Sequence, residues 1–205
     1  VIYNVDITNE KELKKINNLI LKKFKKIDIL INNAAVDYKP VKNSKINNSF
    51  FTTSINDWNR DLSVSLTGTM LCCKIFAKFM ENRKKGVILN IASDLSVIAP
   101  DQRLYDHMNM IKPISYSVVK HGIIGLTKYL SSYFANKNIR VNALSPGGIL
   151  NNQDKNFQKK IKKAIPMGRM AKKGEYIKSI KFLCSEDSSY LTGQNIIIDG
   201  GRSII

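Results

Sequence analysis

Four short apolar runs, at residues 27–31, 87–91, 139–144 and 195–198, do most to limit what this chain can fold into. Each is rich in Ile, Leu, Val or Ala and too short for an ordinary helix, so each reads as a strand of a sheet covered on both faces. Before and between them the apolar residues recur at helical spacing: Leu13, Ile16, Ile20 and Phe24, then Trp58, Leu62, Leu66 and Met70, then Leu126 and Leu130. Strands joined through helices run parallel, because the crossover returns the chain to the same end of the sheet. The expected fold class is therefore α/β, a doubly wound parallel sheet. No repeat, low-complexity tract or linker marks a second domain, and residues 1–205 read as a single one.

Local signals refine this pattern. Residues 1–5 read as a further strand, Thr8 or Asn9 as the cap of the first helix, and Lys25 and Lys26 as its last turn. Residues 37–53 are a polar loop rich in Asn and Lys. Ser54 and Asp57 form a capping box that opens a long helix whose Trp58, Leu62, Leu66 and Met70 stripe is expected to be core. Gly86 is expected to break that helix. Gly122 and Gly125, inside the helix that follows residue 115, cost about 1 kcal/mol each relative to Ala and so predict close packing, either of helix on sheet or at a subunit contact. Residues 150–173 look like a basic, flexible excursion, and 175–184 like a helix.

Of the 205 residues, 43% are hydrophobic, enough for a real core, and no continuous apolar run is long enough for a membrane span. The net charge of +17 raises the question of nucleic acid. The basic residues are scattered lysines mixed with Asn and Ile, and their best cluster, Lys159, Lys160, Lys162 and Lys163, sits in a helical segment beside Phe157 and Ile161 and has no ladder of aromatics for bases. Neither a nucleic acid nor a membrane partner is expected. Cys72, Cys73 and Cys184 have neither metal-ligand spacing nor a disulfide pattern, so no metal is expected and a reducing cytoplasm is the default compartment.

The most chemically pointed stretch is Ser115-Tyr116-Ser117-Val118-Val119-Lys120. On a helix, Tyr116 and Lys120 share a face. An ammonium one turn from a phenol favours the phenolate and makes the hydroxyl usable for proton transfer near neutrality. The same spacing also arises by chance as a surface pair. Ser93, at the end of the 87–91 run, is placed to donate to a carbonyl oxygen that gains charge, though taken alone it also fits an ordinary turn. His107 has no second ligand spaced to join it.

Taken in order, Val5-Asp6-Ile7-Thr8, Asn32-Asn33-Ala34-Ala35, Asn90-Ile91-Ala92-Ser93, Tyr116 with Lys120, Ser145-Pro146-Gly147-Gly148 and Asp199-Gly200-Gly201 resemble the landmarks of the short-chain dehydrogenase/reductase family, a Rossmann-like fold. The resemblance covers the whole chain but lacks the family's N-terminal strand, glycine-rich turn and helix, so the sequence reads as a fragment without its first strand-helix-strand-helix unit. It implies an oxidoreductase that transfers hydride between NAD or NADP and a ketone or secondary alcohol. Tyr116 would exchange the proton, Lys120 would lower its pKa and bind the nicotinamide ribose, and Ser93 would polarise the carbonyl. Ser65 stands where the family has an Asn that holds a relay water. Asp6 and Ile7, Asn33 and Ala34, and Pro146, Gly147 and Ile149 would line the cofactor, Asp6 at the adenine and Ile149 at the carboxamide; helix capping by Asp6 and a plain turn at 146–149 are the alternatives. Ala35 replaces the family's usual Gly.

The connection from Ser93 to Tyr116 is longer than the family's usual one and is expected to carry specificity, with 150–173 as a lid. A sugar or sugar-nucleotide substrate and an acyl chain on an acyl carrier protein both suit a basic lid, and a catalytically silent binding protein on the same scaffold is the reading from another class. A homodimer or homotetramer is expected by resemblance.

Overall fold

A computed structural model describes residues 1–36, 49–108 and 110–205. Four strands, β1 (Ile29–Asn32), β2 (Gly86–Ile91), β3 (Ile139–Pro146) and β4 (Asn195–Ile198), form one all-parallel sheet in sequence order. The helices are α1 (Glu10–Phe24), α2 (Ile55–Leu62), α3 (Gly68–Arg83), α4 (Ile114–Phe134), α5 (Lys155–Lys163) and α6 (Ile177–Cys184). The α/β expectation is met, and every strand points its C-terminal end at the same edge.

Register divides the side chains between two layers. Ile88 opposite Val141 faces α3 and α4, where Cys73, Ala77, Met80 and Phe134 close over it. Leu89 and Leu144 face the other way, against Tyr176 and Leu183 of the α6 region. Among the described residues that second layer does not reach β1, whose Ile29 and Ile31 are 46% and 45% exposed. A smaller cluster of Ala92, Val119 and Ile123 sits under Leu62 and Leu66, where α4 meets the end of β2.

Several local expectations are corrected. Residues 1–5 make no strand: among the described residues β1 is the edge of the sheet, and residues 1–5 have no strand beside them to pair with. Asn9 caps α1 by accepting from the Lys11 and Glu12 amides, and the helix ends at Phe24 with Lys25 in the left-handed region as its C-cap. Ser54 does cap α2, through the Asp57 amide. The long helix then loses its simple period. At Ser63–Thr67 it widens to a π turn, with the Gly68 amide reaching back to the Ser63 carbonyl. The extra residue turns the buried face from the Trp58, Leu62, Leu66 line to Leu71, Cys72, Ile75, Phe76 and Met80, leaving Met70 exposed. The span Ile55–Arg83 is apolar enough to cross a membrane by length and composition, and α3's part of it is the central helix of this core.

Gly86 is not the helix breaker either. Lys84, with φ 48°, turns the chain, while Gly86 opens β2 where a Cβ would stand 2.6 Å from the Met80 sulfur. Gly122 does pack closely, against Leu66, but a Cβ at Gly125 would meet nothing within 4 Å. Within residues 150–173, read as a flexible excursion, the helical segment around Phe157 and Ile161 is the capped helix α5. Residues 37–48 of the predicted polar loop lie outside the described residues; Phe50–Thr52 is a short turn capped by Ser49.

Candidate functional site

The C-terminal ends of the four strands gather the candidate residues along one edge of the sheet, the position where ligands meet open parallel sheets. Tyr116 lies in the first turn of α4, its amide bonded to the Pro113 carbonyl at 3.2 Å. Lys120, one turn on, is buried, and its ammonium donates to the Ile91 carbonyl at 3.0 Å. That bond ties the catalytic-looking face of α4 to the last residue of β2, two residues before Ser93. The Lys120 Nζ is 5.6 Å from the Tyr116 ring centroid.

Ser93 is buried and extended, and its hydroxyl donates to Asp94 Oδ1 at 2.9 Å. Asp94 is in turn held by Arg202, whose Nη1 is 2.6 Å from Oδ2, both side chains being buried. Ser65 belongs to the π turn and is buried. Its hydroxyl accepts from the Val36 amide at 2.9 Å, which bridges the helix to the chain just beyond β1. Widened turns of this kind re-aim side chains and recur at functional sites. A serine hydroxyl that accepts still has its own proton to give.

The remaining candidates are more dispersed. Asn33 and Ala34 are exposed directly after β1. Asp6 accepts from the Thr8 amide at 2.9 Å and the Thr8 hydroxyl at 2.8 Å, which holds its carboxyl below the usual range. It therefore braces the turn before α1 instead of capping the helix, a place taken by Asn9. Ile7 packs into the space left by Gly68. Pro146 ends β3, and Gly147 follows so close to Asp199 that a Cβ would lie 2.8 Å from its Cα. The Tyr176 hydroxyl donates to the Gly147 carbonyl at 3.0 Å and is pushed up to about 12, chiefly by burial. Ile149 forms a bridge with Ala171, and its carbonyl accepts from Gln153 at 2.7 Å.

Several contributors were not read from the sequence. Asp61 of α2 is buried and accepts from the Ser115 hydroxyl at 2.5 Å, bracing α4 beside Tyr116. Asn32, Asn90 and Thr127 form a buried chain, 2.8 Å and 2.9 Å per link, from β1 through β2 to α4. Lys112 places its ammonium 3.7 Å from the Tyr116 ring centroid. Asp94 stands next to Ser93 in the sequence, and Asn32 and Asn90 stand in the motifs that carry the resemblance; only their contacts were out of reach of the sequence. Burial raises the Cys72 thiol to about 11 and Cys73 to about 12, so neither is a ready nucleophile. Among the described residues no cluster of His, Cys, Asp and Glu could hold a metal, and His107 bonds Asp154 instead.

The profile of the enoyl-(acyl carrier protein) reductase family matches residues 1–203. The chain is 32% identical to the post-translational flagellin modification protein A of Campylobacter coli, over 96% of this chain and 75% of that one. The chain belongs to the short-chain dehydrogenase/reductase family. It is 30% identical to the 3-oxoacyl-(acyl-carrier-protein) reductase FabG of Thermotoga maritima, over 98% of this chain and 76% of that one. A short-chain dehydrogenase of Leptospira borgpetersenii, solved with bound NAD+, superposes with a TM-score of 0.87 at 36% identity and covers 98% of this chain and 74% of its own. As a member of this family the chain is an NAD(P)-dependent oxidoreductase, which moves hydride between a nicotinamide dinucleotide and a ketone or secondary alcohol. The donor set along the sheet edge suits such a cofactor: a buried ammonium, a phenol and two hydroxyls, beside small side chains and tight backbone at 33–34 and 146–149.

Proposed function

We propose that Tyr116 is the proton carrier of this oxidoreductase, with Lys120, Ser93 and Ser65 as its partners. The observation that carries the proposal is the Lys120 bond to the Ile91 carbonyl, because it fixes the ammonium and the first turn of α4 against the strand that delivers Ser93. In ketone reduction the Tyr116 hydroxyl gives its proton to the oxygen that becomes the alcohol, and in oxidation the phenolate takes it back. Lys120 favours the phenolate and reaches toward ribose hydroxyls, while Ser93 donates to the reacting oxygen. Ser65 holds a water on the path by which Tyr116 is reprotonated. When bound, the nicotinamide supplies or accepts the hydride. Asp6, Ile7, Asn33, Ala34, Pro146, Gly147 and Ile149 would hold the dinucleotide together with Tyr116 and Lys120, and residues 1–205 would act as one catalytic domain.

For the substrate, the polar 94–115 segment and the basic α5 favour a sugar or sugar-nucleotide ketone, and the likeness to a glucose 1-dehydrogenase of Bacillus subtilis, 30% identical over this chain, supports that choice. The likeness to a 3-oxoacyl-(acyl-carrier-protein) reductase supports an acyl carrier substrate as the second reading. Turnover assays on the two substrate classes separate them. The proposal also places the protein in the cytoplasm and as a homodimer or homotetramer. Its central test is Tyr116→Phe, expected to lower kcat by about 10²–10⁴ with cofactor affinity close to wild type. Retention of most of kcat would remove Tyr116 from the proton-transfer role.

A further inference from the structure

We propose that Lys112 is a positioning residue for the acid-base step, a second ammonium that the 94–115 segment brings to the Tyr116 ring and that lowers the proton affinity of the phenol. The inference rests on the reading of Tyr116 as proton carrier. The Lys112 Nζ lies 3.7 Å from the Tyr116 ring centroid, nearer than the Lys120 Nζ at 5.6 Å. An ammonium over an aromatic face is drawn to the ring's electron density. Ionisation of the hydroxyl spreads negative charge into that ring, so the attraction is stronger for the phenolate than for the phenol. A cation so placed favours the charged form.

The position of Lys112 is built rather than incidental. The Gln102 side chain clasps its backbone: the Lys112 amide donates to Gln102 Oε1 at 2.9 Å, and Gln102 Nε2 donates to the Lys112 carbonyl at 3.3 Å. Gln102 starts a short turn, Gln102–Leu104, capped by the Asp101 carboxylate through the Arg103 amide, and Leu104 buries the end of that turn under α5. On the other side Pro113 fixes the backbone and accepts the Tyr116 amide. The stem of Lys112 thus leaves from a point set on both flanks.

The charges on the other elements packed against this turn are committed elsewhere. Asp94 pairs with Arg202, and Asp61 takes the Ser115 hydroxyl and lies 3.6 Å from Arg60. His121, one turn beyond Ser117 on α4, bonds the Ser117 carbonyl. Among the described residues, Lys112 and Lys120 are the ammonium groups at the ring.

The test needs no substrate. In the protein with whatever sequence flanks these residues, the ionisation of Tyr116 is read from phenolate difference absorbance between each variant and its Tyr116→Phe counterpart. Lys112→Met is expected to raise the midpoint by about one pH unit. Lys112→Arg is expected to restore most of that change, and Gln102→Leu to give a smaller shift of the same sign, with circular dichroism unaltered. With a substrate in hand, the acidic limb of kcat/KM for alcohol oxidation moves upward in step. An unmoved midpoint in Lys112→Met overturns the proposal, as does a raised midpoint that Lys112→Arg fails to restore, since packing and not charge would then be the cause. Should Lys112→Met fail to fold, an unmoved midpoint in Gln102→Leu overturns it equally. Failure of the underlying reading looks different, for Tyr116→Phe would then keep its turnover whatever the titrations give.

Discussion

Asp94 accepts the Ser93 hydroxyl with one carboxylate oxygen and the Arg202 guanidinium with the other, so a buried ion pair sets the direction of the side chain proposed to meet the substrate. Removing one member of such a pair strands the other charge away from water. Arg202→Met is therefore expected to cost about 3–5 kcal/mol in chemical denaturation, and the double change with Asp94→Asn to recover part of it. A single variant of wild-type stability would show that the pair is not held as described. Ser93, Tyr116 and Lys120 were legible because their spacing and order carry the family pattern. Arg202 was not, since its partner lies 108 positions away and nothing local distinguishes it from the other basic residues. Lys112 escaped for the same reason: a lysine in a lysine-rich chain acquires meaning only from what it faces.

At the scale of elements, the two segments read separately as a specificity loop and a flexible lid are one packed unit. Leu104 of the first is buried with Ile161, Ile165 and Met170 of the second, and the Tyr105 and Phe157 rings lie 5.4 Å apart. Polar links join the same surfaces: His107 Nε2 with Asp154 Oδ1 at 2.7 Å, and Lys160 with Asp106 and with the Arg103 carbonyl. Asp154 also caps α5, so the bond to His107 bears on the start of that helix. The sequence held the pieces, Phe157 and Ile161 in a helical segment among the lysines, but not the packing of its one narrow apolar side against Leu104, which shows only in the fold. The π turn at Ser63–Thr67 was likewise illegible, because a period of 3.6 fits either side of it and the offset shows only against the sheet. Leu104→Ala is expected to destabilise the unit by about 2–5 kcal/mol, seen as faster hydrogen exchange throughout α5 while β2 and β3 stay protected. Unchanged exchange in α5 would mean that the two segments do not support each other.

For the whole molecule, the layering leaves α4 with a job on each side. Its inner face, through Val119, Ile123 and Phe134, closes the core, while Val118, Tyr129 and Tyr133 line its outer face, Tyr129 being 66% exposed and its ring 6.3 Å from that of Tyr133. Gly125 falls between Val118 and Tyr129 on that outer face and has open space where a Cβ would be. Gly122 and Gly125 looked alike in the sequence, yet only Gly122 is explained by the fold, through its contact with Leu66. A glycine that weakens a helix by about 1 kcal/mol without serving an internal contact makes sense if another surface approaches closely there. A second copy related by a two-fold axis would set the stripe against itself, the arrangement most soluble oligomers use. Replacing Tyr129 and Tyr133 together by Glu is expected to convert the proposed homodimer or homotetramer to smaller species in sedimentation, with helix content kept, because charge on both copies would face itself across the axis. A wild-type protein that sediments as a monomer, or a double variant of unchanged size, would remove this face of α4 from the assembly.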